Sequence, residues 1–185
     1  MLYNLGFFRR LTPDLDVRIE GFYNVTDNYI TSEDHTFPLV YYADNIDKVW
    51  TKGAEVELNR GVVCGPGVRL NYNLYLMDWF DDSLDIEPYL MEMTPKHRLN
   101  AGITWPVFKG TVVSVEGRAA FTRTSKSGLA MDDYAVLGAG LEQRFFNRAL
   151  ALNARIENIL DAYYEEIYGY PMPGRTFALH ASMSF

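Results

Sequence analysis

Apolar and polar positions alternate along most of the chain, which marks strands with one greasy face. Leu15, Val17, Ile19, Gly21 and Tyr23 oppose Asp16, Arg18, Glu20, Phe22 and Asn24. Ala54, Val56 and Leu58 oppose Glu55, Glu57 and Asn59, and Val68, Leu70, Tyr72, Leu74 and Leu76 oppose Arg69, Asn71, Asn73 and Tyr75. The second half continues with Leu99 to Trp105, Val113 to Phe121, a weaker run at Leu137, Ala139, Leu141 and Phe145 broken by Gln143, and Leu150 to Ile156. An opening strand near residues 2–10 and a closing one through Phe177, Leu179, Ala181, Met183 and Phe185 bring the reading to about nine strands.

A soluble β-sandwich would show the same alternation, because a packed core also selects one apolar face. The connections discriminate better. Short turns at "LTPDL", "GVVCGPG", "PVFKGT" and "FNRA" alternate with long polar and aromatic segments at residues 26–47, 78–94, 123–133 and 160–174. All short turns therefore fall on one end, as in outer-membrane barrels with tight periplasmic turns and long extracellular loops. The polar faces carry Arg18, Glu20, Glu55, Glu57, Arg69, Arg98, Glu116, Arg118, Arg155 and Glu157. Such residues suit a watered lumen, since Arg or Lys facing lipid costs roughly 2–4 kcal/mol at the bilayer midplane.

Composition sharpens this picture in three places. Aromatic residues make up 15% of the chain, with 13 Tyr and 11 Phe, the residues that form girdles at lipid interfaces. A net charge of −7 without a basic cluster excludes a nucleic-acid partner. Cys64 is the one cysteine, so neither an intrachain disulfide nor a cysteine zinc site is available, and it reads as a turn residue. The chain shows neither a long apolar run of the membrane-helix kind nor a signal peptide. Its mid-strand opening, "MLYNLGFFRRL", suggests part of a longer chain. His35, His97 and His180 are scattered, and no nucleophile elbow, phosphate loop or dinucleotide fingerprint occurs. Neither catalysis nor a cofactor is expected.

The run "LNARIENILDAYYEEIYGYPMPGRTFALHASMSF", residues 152–185, resembles the last two strands and last extracellular loop of TonB-dependent outer-membrane receptors. It carries the family's Asn-to-Asp step at Asn158 and Asp161, a following Tyr163 or Tyr164, the Gly-Tyr-Pro-x-Pro-Gly-Arg segment from Gly169 to Arg175, and a final Phe. "FYNVTDNYIT", "NIDKVWTKGAEVEL" and "TPKHRLNAGITW" are similar to further family segments and stand in family order.

The resemblance implies an all-β, antiparallel transmembrane barrel, with residues 1–185 forming the C-terminal part of a wall of about 22 strands. The family's N-terminal plug and first barrel strands are not among these residues. It also implies outer-membrane lipid, the remainder of the barrel and plug, the TonB complex acting through that plug, and the barrel-assembly machinery as partners. Phe185 would belong to the assembly signal, and the structure would sit in the outer membrane of a Gram-negative bacterium.

Ligand recognition is expected on the long loops. Tyr41, Tyr42, Trp79, Phe80, Tyr89, Tyr163, Tyr164, Tyr168 and Tyr170 supply aromatic surface for a chelated metal or a corrinoid, although each singly also reads as a girdle residue. Asp78, Asp81, Asp82 and Asp85 in "DWFDDSLDIE" bring hard oxygens together for a weak Ca2+ site, as loop aspartates do in some cobalamin receptors of the family, or form a solvated acidic loop. The favoured reading is a segment of a receptor for TonB-energised uptake of a ferric siderophore, haem or cobalamin. Its rivals are a small self-closing barrel with a structural or passive-pore role and a soluble β-sandwich binding module.

Overall fold

A computed structural model of the chain describes residues 1–35, 40–62, 65–80, 94–125, 129–146 and 149–184, with the backbone alone over 31–35 and 40–45. Nine strands form one sheet in the order β1 (Leu2–Thr12), β2 (Leu15–His35), β3 (Val40–Arg60), β4 (Gly67–Phe80), β5 (His97–Phe108), β6 (Thr111–Phe121), β9 (Tyr134–Phe145), β10 (Leu150–Glu157) and β13 (Thr176–Met183). Two small hairpins lie in the connections: β7 (Arg123–Thr124) with β8 (Ala130–Met131), and β11 (Glu165–Ile167) with β12 (Tyr170–Pro171). Neighbours in the main sheet pair antiparallel throughout.

The register keeps each face uniform from strand to strand. Phe7, Ile19, Val56, Tyr72, Leu99, Ala119 and Ala135 lie in one cross-strand row. The polar row holds Arg18, Glu57, Asn71, Asn100 and Arg118. Slipping any strand by one residue would put charges into the apolar row, so the alternation itself specifies the register. All ten charged positions expected on one face lie there. Gln143 does not interrupt β9; it pairs with Thr111 on one side and Leu152 on the other, and its side chain accepts a hydrogen bond from Thr111 Oγ1 at 2.5 Å.

The apolar face is bare. Leu5 is 82% exposed, Leu179 80%, and Ile19, Ile103, Val115, Leu137 and Leu141 are exposed along the middle of the sheet. In a soluble sandwich these would be the core, so the sandwich rival fails. Aromatic residues bound the apolar band: Tyr3, Tyr23, Tyr72 and Phe121 toward the loop end, and Trp105, Phe108, Phe145 and Phe146 toward the turn end. From His97 to Trp105 the chain climbs roughly 27 Å at ~3.4 Å per residue, or about 21 Å along the normal at a tilt near 40°.

The two short turns that are fully described, after β1 and after β5, are tight as expected. Thr12 and Arg60 both hydrogen-bond Asp14 in the first, and Gly110 turns the β5–β6 hairpin at φ +80°, where a Cβ would strike the Arg144 carbonyl. The long connections differ from expectation, because much of residues 26–47 is strand. The pairing of β2 with β3 runs on from Tyr29↔Ile46 to His35↔Val40, beyond the reach of β1 and β4. Tyr41 and Tyr42 therefore sit on β3, opposite Asp34 and Glu33, and Trp79 and Phe80 end β4. The residues of this ribbon do not alternate apolar with polar, so it lacks the apolar stripe that marks a strand in sequence.

On the polar face Phe22 of β2 lies across Gly53 of β3, with Tyr75 of β4 on the far side at a ring separation of 6.0 Å from Phe22. β1 and β13 are the free edges. With nine strands between and including them, they run in the same direction, both from the loop end to the turn end.

Candidate functional site at the loop end

The residues 158–175 begin with two left-handed positions, Asn158 at φ +49° and Asp161 at φ +54°. Asparagine and aspartate accept this conformation more readily than other side chains. Asn158 is 3% exposed and fully used: Nδ2 donates to the Ala162 carbonyl at 2.8 Å and to the Pro173 carbonyl at 3.3 Å, and Oδ1 accepts the Ala162 amide at 2.9 Å. Asp161 Oδ1 accepts the Arg175 amide at 2.7 Å. The two side chains thus fasten the start of the loop to its return, and the sequence step between them is a loop clamp.

From this clamp the chain turns inward over the polar face. Tyr164 is 5% exposed; its hydroxyl accepts a hydrogen bond from Arg118 Nη2 at 2.6 Å, and its ring packs on Tyr134 at 4.8 Å. Arg118 lies over the Tyr164 ring at 5.7 Å and reaches Glu166 at 3.7 Å. Arg123, 7% exposed, lies over the Tyr134 ring at 4.8 Å. Its guanidinium donates to the carbonyls of Asp132 at 2.8 Å, Glu165 at 2.5 Å and Glu166 at 3.0 Å. The result is a stack, Arg123, Tyr134, Tyr164, Arg118, that joins the connection after β6 to the last loop. Carbonyls and ring faces satisfy the buried cation.

Beyond the stack, the β11–β12 hairpin presents Tyr163, Tyr168 and Tyr170 to solvent. Tyr163 donates to Glu165 Oε1 at 2.7 Å, and the Gly169 amide donates to Glu165 Oε2 at 2.8 Å. These two bonds, the tyrosine's first, hold the Glu165 carboxyl below its usual range. The same pairing raises the Tyr163 hydroxyl.

The structure separates the nine aromatic positions expected to meet ligand. Tyr163, Tyr168 and Tyr170 form an exposed group on one hairpin, whereas Tyr164 is built into the stack. Trp79 is half-buried at the end of β4, opposite Val49, and Phe80 is exposed. The backbone places Tyr41 and Tyr42 on the ribbon. Tyr89, Asp81, Asp82, Asp85, Cys64 and Phe185 lie outside the described residues. Asp78 accepts the Trp79 amide at 3.0 Å, and among the described residues no group of acids, histidines or cysteines could hold a metal ion. Arg123 escaped sequence reading because one arginine in a polar loop carries no pattern. Its only signal is its position two residues past the end of β6, just after the left-handed Thr122 at φ +54°.

The tyrosine group and the charged wall below it therefore share one end of a two-faced sheet. The family model described as TonB dependent receptor-like, beta-barrel, matches residues 3–159. Among solved structures, the ferric-catecholate import receptor Fiu from E. coli K12 is 19% identical with a TM-score of 0.76, over 100% of this chain and 27% of its own. The FrpB iron transporter from Neisseria meningitidis is 13% identical with a TM-score of 0.76, over 97% of this chain and 30% of its own. The ferric enterobactin receptor PfeA from Pseudomonas aeruginosa, solved as a mutant with enterobactin bound, is 19% identical with a TM-score of 0.73, over 100% of this chain and 31% of its own. The chain spans less than a third of the length of each. It belongs to the TonB-dependent receptor family and forms part of that family's β-barrel.

Proposed function

We propose that this chain is the C-terminal wall of a TonB-energised importer in a Gram-negative outer membrane, taking up a scarce chelate such as a ferric siderophore, haem or cobalamin. The observation that carries the reading is the in-register sheet with one bare apolar face and one charged face, its tight turns at one end and its loops at the other. The apolar face meets acyl chains, and the charged face lines a lumen that holds the plug on which TonB pulls. Ligand lands first on the loop end, where Tyr163, Tyr168 and Tyr170 offer flat, rigid aromatic surface. Phe185 contributes to recognition by the barrel-assembly machinery. Iron and copper transporters among the structural neighbours support the ligand class, each for its own cargo.

Strand direction weighs against self-closure. β1 and β13 run the same way, so joining them would make a parallel seam in an antiparallel wall. Bacterial outer-membrane barrels carry an even number of antiparallel strands. An odd number of further strands restores that, which fits a part of a larger wall. Unpaired edges in hydrocarbon are strongly unfavourable, so those strands are needed for insertion.

The test is topological. In a Cys64→Ser background, Tyr170→Cys should react with a membrane-impermeant maleimide on intact cells, and Lys109→Cys only after the outer membrane is opened. The opposite pattern, or a protein recovered without detergent, would overturn the reading. Uptake of a labelled ferric siderophore, lost in a Tyr168→Ala/Tyr170→Ala variant, then tests the ligand.

A further inference from the structure

We propose that the segment from Tyr164 to Glu166 is a fixed shelf inside the mouth of the lumen, latched to the wall by Arg118 and to the connection after β6 by Arg123, and that it sets the width of the passage. The proposal rests on the reading of the loop end as the extracellular mouth. Arg118 and Tyr134 occupy polar-face positions, opposite Asn100 and Ala120 respectively. A segment that touches both therefore lies against the inner face of the wall, at its loop end. Three independent kinds of contact hold it there: the Arg118 bond to the Tyr164 hydroxyl at 2.6 Å, the Tyr134 ring against Tyr164 at 4.8 Å, and the two carbonyl bonds from buried Arg123 at 2.5 and 3.0 Å.

Arg123 grips the shelf by its backbone carbonyls from the connection after β6, while Arg118 and Tyr134 of the wall hold the Tyr164 side chain. It leaves Tyr163, Tyr168 and Tyr170 exposed. The shelf is a positioning element: it holds that aromatic group at the mouth and narrows the route beneath it.

Asn100 pairs with Arg118 and is exposed on the polar face, so a thiol there reports on passage past the shelf. In cells making the gene's whole product with Cys64→Ser and Asn100→Cys, a small maleimide and a bulky polyethylene-glycol maleimide are compared. The ratio of small to bulky labelling should be high in the parent and fall severalfold in Arg118→Ala or Tyr164→Ala, which remove the latch from one side or the other. Tyr164→Phe, which keeps the ring and loses the hydroxyl, should fall between. Heat-modifiable gel migration confirms that each variant still forms a barrel. Should Arg118→Ala or Tyr164→Ala not assemble, Tyr164→Phe and Glu166→Gln carry the comparison.

Equal ratios throughout, or no reaction at Asn100→Cys in any variant, would show that something else limits access and would overturn the shelf. A wrong orientation of the whole wall would instead be visible as Tyr170→Cys unlabelled on intact cells. The two failures are therefore distinct.

Discussion

Phe22 lays its ring over Gly53 of the neighbouring strand, with ring carbons 2.7 and 2.9 Å from where a glycine Cβ would stand. The missing side chain is thus replaced by an aromatic one from across the ladder, and the Leu74 carbonyl closes the same space from the other side. A ring can swing away; a backbone carbonyl cannot do so cheaply.

Gly53→Ala should therefore destabilise the β2–β3–β4 region by about 1–3 kcal/mol, the usual cost of overpacking. Phe22→Ala should cost less than the double change, since removing the ring relieves only one of the two clashes. Urea unfolding of refolded protein in detergent, read by tryptophan fluorescence and gel migration, checks both.

Asn158→Asp keeps the acceptor for the Ala162 amide and removes the two donations to the Ala162 and Pro173 carbonyls. Leaving buried groups unpaired costs about 1–3 kcal/mol. Protease cleavage within residues 158–175 on intact cells should accelerate, while barrel migration stays unchanged. Asp161→Asn, which keeps an acceptor for the Arg175 amide, should be milder.

The β11–β12 hairpin should respond to acid. The Glu165 carboxyl lies below its usual range in the folded loop, so its contribution is complete above the ordinary glutamate pKa and is lost as pH falls through the lowered value. Hydrogen exchange of the Gly169 amide should speed up across that acidic window and stay flat near neutrality. Glu165→Gln should remove the dependence.

Lipid contact is testable position by position. Leu137→Arg places a cation at the middle of the bare face and should cost roughly 2–4 kcal/mol in vesicle refolding. Ser114→Arg, on the opposite face, should be tolerated far better. Equal costs would mean that the two faces do not see different solvents.

The sheet was readable because period two reports what each face must meet, and nine strands keep the same answer in register. What that signal cannot register is a strand whose sequence does not alternate: the outer part of β2 and β3, with Tyr41 and Tyr42, reads as loop, yet its backbone pairs rung by rung. Site residues divide along a similar line. The clamp at Asn158 and Asp161 was visible as a motif, since a left-handed pair limits which residues fit. Tyr164 and its neighbour Tyr163 look alike in sequence, yet one is 5% and the other 76% exposed. Their difference is set by Arg118 and Tyr134, on strands distant in the chain.

The projecting β2–β3 ribbon sets a reach. At ~3.4 Å per residue, the pairs from Asp27 to His35 carry its outer end roughly 27 Å past the last rung shared with β4. Anything bulky approaching the sheet from its loop end would brush this mast before it could touch the tyrosines nearer the rim. In the receptor proposed above, first contact would then begin well away from the membrane.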